Sequence, residues 1–285
     1  MSSGRLATPS ILCVLAVVAC AGTASQPAMA QGKLDARYTA TLAGIPIGRG
    51  AWVIDIADDQ YTAAASGTTT GIVRLFASGQ GSSASRGHVR SGNLLPSTYA
   101  SSLVSEKKSE ELRIVLQNGT VKDVSVEPPS PPQPERLPVT DAHRRGVTDP
   151  MSAALVRVPG AAPPIGPEAC SRTLAIFDGR MRFDLRLSFK RMETVRSERG
   201  YEGPVAVCAV GFTPIAGYVP DRAAIVYLTR QRDIEAWMAP VAGTRVVVPY
   251  KIIVPTTFGL GVLEATQFVS LPSSTRPTPT SARIP

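Results

Sequence analysis

The chain is poor in the residue types that most often carry chemistry. Its 285 residues include only two histidines, His88 and His143, and only four cysteines. Neither histidine lies in an H-E-x-x-H motif, and the sequence contains no G-x-S-x-G nucleophile turn and no Walker-type phosphate loop. These absences exclude the familiar zinc-protease, serine-hydrolase and P-loop signatures. The sequence therefore predicts no catalytic residue, no metal site and no cofactor.

Long apolar runs are also missing. None reaches the roughly 20 residues that a transmembrane helix needs, so we predict no membrane span in the mature chain. The apolar run 11–19 follows Arg5 and precedes an A-x-A site that ends at Ala30. Such a pattern is typical of a secretory signal peptide. We predict a signal peptide over 1–30, cleavage before Gln31 and a periplasmic mature protein.

A second cleavage site competes with this one. The residues Val17-Val18-Ala19-Cys20 loosely fit a bacterial lipobox, in which Cys20 would be lipidated and become the first residue. The position after the apolar core is right, although valine is a weaker opening residue than leucine. The alternative prediction is therefore an outer-membrane lipoprotein anchored through Cys20.

Removal of the leader leaves two cysteines, Cys170 and Cys208. Two thiols in an oxidising compartment usually pair, so we predict a disulfide between them. The alternative is a reactive cysteine, which would lack a nearby histidine in the sequence.

The charge of the chain is moderately basic. Without Arg5 the mature chain keeps 29 basic residues against 22 acidic ones, a net charge of +7. This balance favours anionic partners such as lipid headgroups. The charges are scattered along the chain, however, and we predict no nucleic-acid binding.

A period of two residues dominates the apolar pattern and predicts half-buried strands. The fold class is all-β and mainly antiparallel: a curved sheet, or an open β-barrel or β-spiral, with one short helix. We predict a single β-rich domain over 31–270, interrupted by a Pro-rich loop at 127–138 and followed by a disordered tail at 271–285. Further strands are predicted over 72–78 and 223–229.

Two local motifs carry more specific predictions. Asp149 is placed to cap a short helix that begins at Pro150 and whose apolar residues could line or plug a cavity. Asp178-Gly179 predicts a two-residue hairpin turn, after which alternation alone accounts for the row of arginines that begins at Arg180. Turns display functional groups, so Asp149, Asp178 and Arg180 are the candidate functional residues.

Five short strings together resemble one bacterial family, the domain-of-unknown-function 3108 family. The strings are "GIPIGRG" at 44–50, "GNLLPSTYASS" at 92–102, "DPMSAAL" at 149–155, "FDGRMRFDL" at 177–185 and "YEGPVAVCAVGFTPIAGY" at 201–218. The resemblance spans about residues 33–270. It implies a secreted, β-rich envelope protein without an assigned activity, and it supplies no catalytic residues.

The predicted function is that of a non-catalytic periplasmic protein whose apolar groove binds a lipid, a lipidated protein or another envelope component. An ordinary hydrophobic core, in which side chains fill the space over this apolar face, would give the same sequence pattern. The alternative is an envelope hydrolase or cell-wall-modifying enzyme that uses Asp149, Asp178 and Arg180. The sequence makes no prediction of the oligomeric state.

Mapping the N-terminus of the protein purified after expression of the full chain tests the leader. We expect a peptide that begins at Gln31 and carries no lipid. A diacylated peptide that begins at Cys20 would contradict this prediction and establish the lipoprotein form.

Overall fold

The computed structural model describes residues 31–70, 79–106, 108–129, 131 and 133–273. The predicted leader and the strand predicted over 72–78 lie outside the described residues. The strands are β1 (Gly32–Leu42), β2 (Ile45–Ile56), β3 (Gln60–Thr69), β4 (Gly79–Arg90), β5 (Asn93–Ser105), β6 (Ser109–Gln117), β7 (Thr120–Glu127), β8 (Val156–Arg157), β9 (Arg172–Phe177), β10 (Arg182–Arg196), β11 (Arg199–Gly200), β12 (Glu202–Ala216), β13 (Glu235–Pro240), β14 (Val246–Thr256) and β15 (Gly259–Pro272). In the same residues the helices are α1 (Pro150–Ala153) and α2 (Ala223–Arg230), and two 3-10 helices span Asp141–Arg144 and Pro167–Ala169.

All the strands belong to one curved sheet. Its hydrogen-bonded order is β7-β6-β5-β4-β3-β2-β1-β15-β14-β13-β12-β10-β9, with β8 paired to β14 and β11 paired in parallel to β15. The other pairs are antiparallel, so the predicted fold class is confirmed. Register shifts interrupt several pairs, among them β1–β15, β1–β2 and β4–β5, and such bulges bend and twist a sheet.

The two ends of the sheet, β7 and β9, are joined by a connecting segment. Among the described residues these two strands do not pair directly with each other. On one side, the amide of Val147 donates to the carbonyl of Gly119 between β6 and β7 (2.9 Å). On the other, the amide of Thr148 donates to the carbonyl of Ala175 in β9, and its carbonyl accepts from Phe177 (both 2.9 Å). The chain after the Pro-rich loop thus bridges an otherwise open sheet.

The β9–β10 turn also packs directly against β6. Gly179 has a φ of +95°, and a Cβ atom at this position would lie 2.4 Å from Cδ1 of Leu112. Next to it, the guanidinium of Arg180 pairs with the carboxylate of Glu110 in β6 (2.9 Å). Glycine is therefore required here both for its conformation and for the close approach of the turn to the sheet.

The predicted strand periodicity is confirmed where it is clearest. In β1, Leu34, Ala36 and Tyr38 are buried and the residues between them are exposed. In β10 the alternation is seen only around Leu187, which is buried between exposed neighbours, whereas residues 182–185 are all half-buried and Phe189 is exposed. A register shift after Phe189 then breaks the pattern.

Three details of the prediction are wrong. Residues 223–229 belong to helix α2, because Leu228 packs on the core beside β12 while the next strand position is already taken by β13. The turn at Asp178-Gly179 has four residues, since Phe177 pairs with Arg182. The first two residues of the predicted tail extend β15, which ends at Pro272, and residues 274–285 lie outside the described part.

The described part of the chain forms two hydrophobic cores that pack against the sheet. The larger one packs the inner faces of β1, β2, β3, β6, β14 and β15 around Ile54, Tyr250 and Phe268. The smaller one includes both cysteines and lies where the 3-10 helix Pro167–Ala169 contacts β10 and β12.

The predicted disulfide is present in this second core. Cys170 follows the 3-10 helix and Cys208 lies in the middle of β12, with their Cα atoms 5.3 Å apart and both residues fully buried. The bridge therefore fastens the irregular chain that precedes β9 onto the regular sheet.

Loss of this bridge should destabilise the fold. Because 38 residues separate the two cysteines, the chain-entropy model predicts that Cys208→Ser lowers the free energy of unfolding by about 3–4 kcal/mol. Urea unfolding with and without reductant measures the effect. Reductant should destabilise the wild type by a similar amount and leave Cys208→Ser unchanged. Free alkylation of both thiols in native, unreduced protein would contradict the pairing.

Candidate functional site

An apolar hollow lies on the inner side of the sheet, between β1–β5 on one side and β14–β15 on the other. Its volume is about 820 Å³, within the range of about 300–1,000 Å³ that is typical of ligand sites. Its larger lining side chains are Tyr38, Trp52, Tyr99, Met151, Ile252 and Leu263.

The hollow exists because the inward-facing side chains become smaller toward one end of the sheet. Along β3 the inward positions run from Tyr61 through Ala63 and Ala65 to Gly67. The antiparallel β4 follows the same gradient, with Ser83 and then Gly81 beside these small residues. We call this end of the sheet, at which β1, β3, β5 and β14 finish, the mouth end.

Helix α1 forms the floor of the hollow. Its residues Pro150 and Met151, with the following Ala154, face the cavity. The helix begins at Pro150 because Asp149 caps it: the Asp149 Oδ1 atom accepts a hydrogen bond from the amide of Ser152 (2.9 Å). The predicted capped helix is therefore confirmed, although it contains only four residues.

The Asp149 carboxylate is the centre of a buried hydrogen-bond network. Its Oδ2 atom accepts from the hydroxyls of Ser152 (2.6 Å) and Ser85 (3.2 Å). The Ser152 hydroxyl in turn lies 2.7 Å from the hydroxyl of Tyr61. The network links α1 to β3 and β4 and so fixes the floor against the sheet.

Glycine at position 87 makes this contact possible. A Cβ atom there would lie 2.7 Å from the ring of Tyr61 and 2.2 Å from the carbonyl oxygen of Leu95. The Tyr61 ring occupies the space that any other residue would take, and its hydroxyl can then reach Ser152.

Burial determines the electrostatics of the network. Asp149 has 0% of its surface exposed, and desolvation raises the pKa of its carboxyl above the usual value despite the hydrogen bonds that favour the ionised form. Desolvation likewise raises the pKa of Tyr61 to about 12. With none of its surface exposed, the Asp149 carboxylate is suited to holding helix α1 in place.

The other two candidate residues lie near Asp149 but are engaged in the β9–β10 turn. The Asp178 carboxylate accepts from the amides of Arg180 (2.9 Å) and Met181 (2.6 Å), and Arg180 pairs with Glu110. The charges of Asp149 and Asp178 both contribute to raising the pKa of Tyr99, after the larger effect of desolvation. The three candidates thus occupy one region, where their contacts hold the sheet together.

The histidines also have structural surroundings. The ring Nδ1 of His143 accepts a hydrogen bond from the amide of Thr140 (3.1 Å) and caps the 3-10 helix Asp141–Arg144. His88 is an exposed residue of β4 that lies opposite Gln60. Within the described residues, no group of three or more His, Cys, Asp or Glu residues is arranged to hold a metal ion.

A separate charged cluster surrounds Glu235 in β13. Its carboxylate accepts from Arg191 (2.9 and 3.2 Å), Lys190 (2.7 Å) and the indole of Trp237 (2.9 Å). The hydrogen bonds from Arg191 are the main reason that the pKa of Glu235 falls to about 2. Arg191 and Lys251 also lie over the ring of Trp237, at 5.4 and 5.0 Å from its centroid. This cluster clamps β10, β13 and β14 together.

Sequence reasoning missed the partners of Asp149 and most of the hollow. Ser85 and Tyr61 lie 67 and 91 residues from Ser152, and no local pattern links them. One signal was available: the inward positions of β3 and β4 contain mostly alanine, serine and glycine, which cannot fill a wide sheet.

Comparisons with known proteins give a matching family model and a similar solved structure. A family model described as "Protein of unknown function (DUF3108)" matches residues 37–266. The chain is also similar to a crystal structure of a β-barrel-like protein of the domain of unknown function DUF1849 from Brucella abortus. That similarity has 10% sequence identity, covers 85% of this chain and 98% of the other, and has a TM-score of 0.44. A search of curated proteins found no match.

Substitutions at Asp149 test the role of the network. Asp149→Ala should lower the free energy of unfolding by about 2–3 kcal/mol, because it removes the helix cap and leaves buried donors unpaired. Asp149→Asn keeps the acceptor for the Ser152 amide and should cost less than about 1 kcal/mol. Urea unfolding measures both variants, and an equal decrease in their free energies of unfolding would contradict this assignment.

The pH dependence of the free energy of unfolding also tests the role of Asp149. The folded-state pKa of Asp149 is raised above its usual 3.8, so the folded protein binds this proton more tightly than the unfolded chain does. The stability gained in this way is fully present below pH 3.8 and is lost as the pH rises through the raised value. Relative to Asp149→Asn, the wild type should therefore gain stability on acidification. A flat difference between the two would be inconsistent with a raised pKa.

Proposed function

Since the chain belongs to the family of proteins of unknown function DUF3108, which carries no assigned activity, we propose a function from its geometry. The protein is a non-catalytic component of the bacterial envelope that holds an apolar ligand, a lipid or the acyl chain of a lipidated partner. The observation that carries this proposal is the hollow of about 820 Å³ above α1.

The polar atoms around the hollow favour an apolar occupant. The Tyr38 hydroxyl already donates to the carbonyl of Pro249 (2.7 Å), and the Tyr61 hydroxyl is bound to Ser152 beneath the floor. A ligand with many polar groups would find few free partners there, whereas an acyl chain needs none. The remaining wall combines aliphatic and aromatic side chains such as Ile252 and Leu263 with glycine, serine and threonine residues of β2–β5, and most of its surface is apolar.

The periplasm is the proposed location. The leader pattern over 1–30 supports export. The Cys170–Cys208 disulfide also supports it, because such bonds persist mainly in oxidising compartments. No helix among the described residues is long and apolar enough to cross a membrane.

Filling the hollow tests the proposal. Ala40 faces the hollow from β1, whereas its neighbour Thr39 lies on the opposite face of the strand. Ala40→Trp should reduce the lipid that copurifies with the protein at least tenfold, and Thr39→Trp should leave it unchanged. Mass spectrometry of organic extracts, normalised to protein, measures both. A wild-type protein without lipid, or equal lipid content in the two variants, would overturn the proposal.

A further inference from the structure

The mouth end of the hollow carries an exposed apolar tip formed by two adjacent hairpins. The β1–β2 turn contains Ala43-Gly44, and the β14–β15 turn contains Thr257 and Phe258. The amide of Ala43 donates to the carbonyl of Leu260 (2.9 Å), so the two turns are held side by side.

Three large side chains on this tip are strongly exposed. Phe258 is 80% exposed, Ile45 54% and Leu260 46%. The β14–β15 turn is also well defined, because the Thr256 hydroxyl donates to the carbonyl of Gly259 (2.7 Å) and accepts from the amide of Phe258 (3.1 Å). A hydrogen-bonded turn therefore holds the Phe258 ring in an exposed position. Transfer of this ring from water into an apolar environment would be favourable, because it removes apolar surface from water.

Charged residues are excluded from this tip and begin in one row beneath it. Residues 42–48 and 252–263 contain no Asp, Glu, Lys or Arg. In the sheet register, Arg49 lies opposite Thr39, Thr39 opposite Glu264, and Glu264 opposite Lys251. Beyond that row, the ends of β1, β2, β14 and β15 can enter an apolar environment without desolvating a charged side chain.

Two further apolar residues are exposed on the opposite side of the mouth, at the end of β5 and just before the charged turn residues Glu106 and Lys108. Leu103, which lines the hollow, and Val104 are both exposed there. On the first side, Ile47 and Leu263 line the hollow just below the tip. The exposed apolar surface is thus continuous with the wall of the proposed binding site.

From this arrangement we infer that the mouth end docks on a phospholipid bilayer, with the tip of Ile45, Phe258 and Leu260 inserted among the acyl chains. An apolar tip above a row that contains Arg49 and the ion pair of Lys251 with Glu264, which together carry a net positive charge, matches the layering of a bilayer, in which acyl chains lie beneath anionic headgroups. Docking in this orientation opens the hollow directly toward the acyl region. The inference rests on the proposed function in one respect, because it assigns the membrane as the source of the apolar ligand.

Vesicle binding tests the docking. The probe is vesicles of phosphatidylethanolamine and phosphatidylglycerol, and the protein is produced from the full chain in a Cys20→Ala background so that no lipid anchor can form. Phe258→Ser should lower the partition coefficient about tenfold, and Phe258→Trp should preserve binding with a blue-shifted emission in vesicles. Leu271→Ser is the matched control, since Leu271 is 62% exposed at the opposite end of β15.

The outcomes separate docking from the function of the hollow. The wild type and Leu271→Ser should bind equally, and their binding should persist in high salt. Absence of wild-type binding, equal binding by Phe258→Ser, or complete loss of binding in salt would overturn the docking. A soluble fluorescent fatty acid, added without vesicles, reports the hollow separately: Ala40→Trp should abolish its binding and Phe258→Ser should not. Vesicle binding through Phe258 without fatty-acid binding would uphold the docking and reject the proposed function.

Discussion

The rest of the structure depends on the way in which the chain between β7 and β9 joins the two ends of the sheet. A long curved sheet with free ends would expose unpaired backbone groups on both edge strands. Val147 and Thr148 supply the backbone hydrogen bonds that bridge the two ends. The same segment continues into Asp149 and helix α1, which the buried carboxylate fixes against Tyr61 and Ser85. One stretch of chain therefore sets both the curvature of the sheet and the floor of the hollow.

The sequence predicted the buried faces of regular strands such as β1 well and the cavity poorly, for one physical reason. Alternation is a local property, so Leu34, Ala36 and Tyr38 indicate a buried face whatever lies opposite them. Whether that face meets side chains or a cavity depends on strands distant in the chain. Asp149 shows the same difference between local and long-range features. Its role as a helix cap was predicted from the adjacent Pro150, whereas its hydrogen bond to Ser85 joins residues 64 positions apart.

The error at α2 has a related origin. The segment 223–229, "AAIVYLT", contains β-branched and aromatic residues that favour strands on propensity alone. In the folded protein, β12 already pairs with β13 next to it, so no edge is available for an intervening strand. The segment instead forms a short helix whose Leu228 packs on the second core. Tertiary context decided the structure here.

The two halves of the sheet are stabilised in different ways, and this difference allows a hollow to exist in a stable fold. Strands β3 and β4 bury little apolar area per residue, because their inward positions near the mouth end are alanine, serine and glycine. The disulfide and the Glu235 cluster lie in the other half, among β10, β12, β13 and β14. The bridge at Thr148 and the hydrogen-bond network at Asp149 connect these two halves. The half that contains β10, β12, β13 and β14 therefore also restrains β3 and β4. Under that constraint, small residues can line the mouth end without collapse of the sheet, and space is left for a ligand.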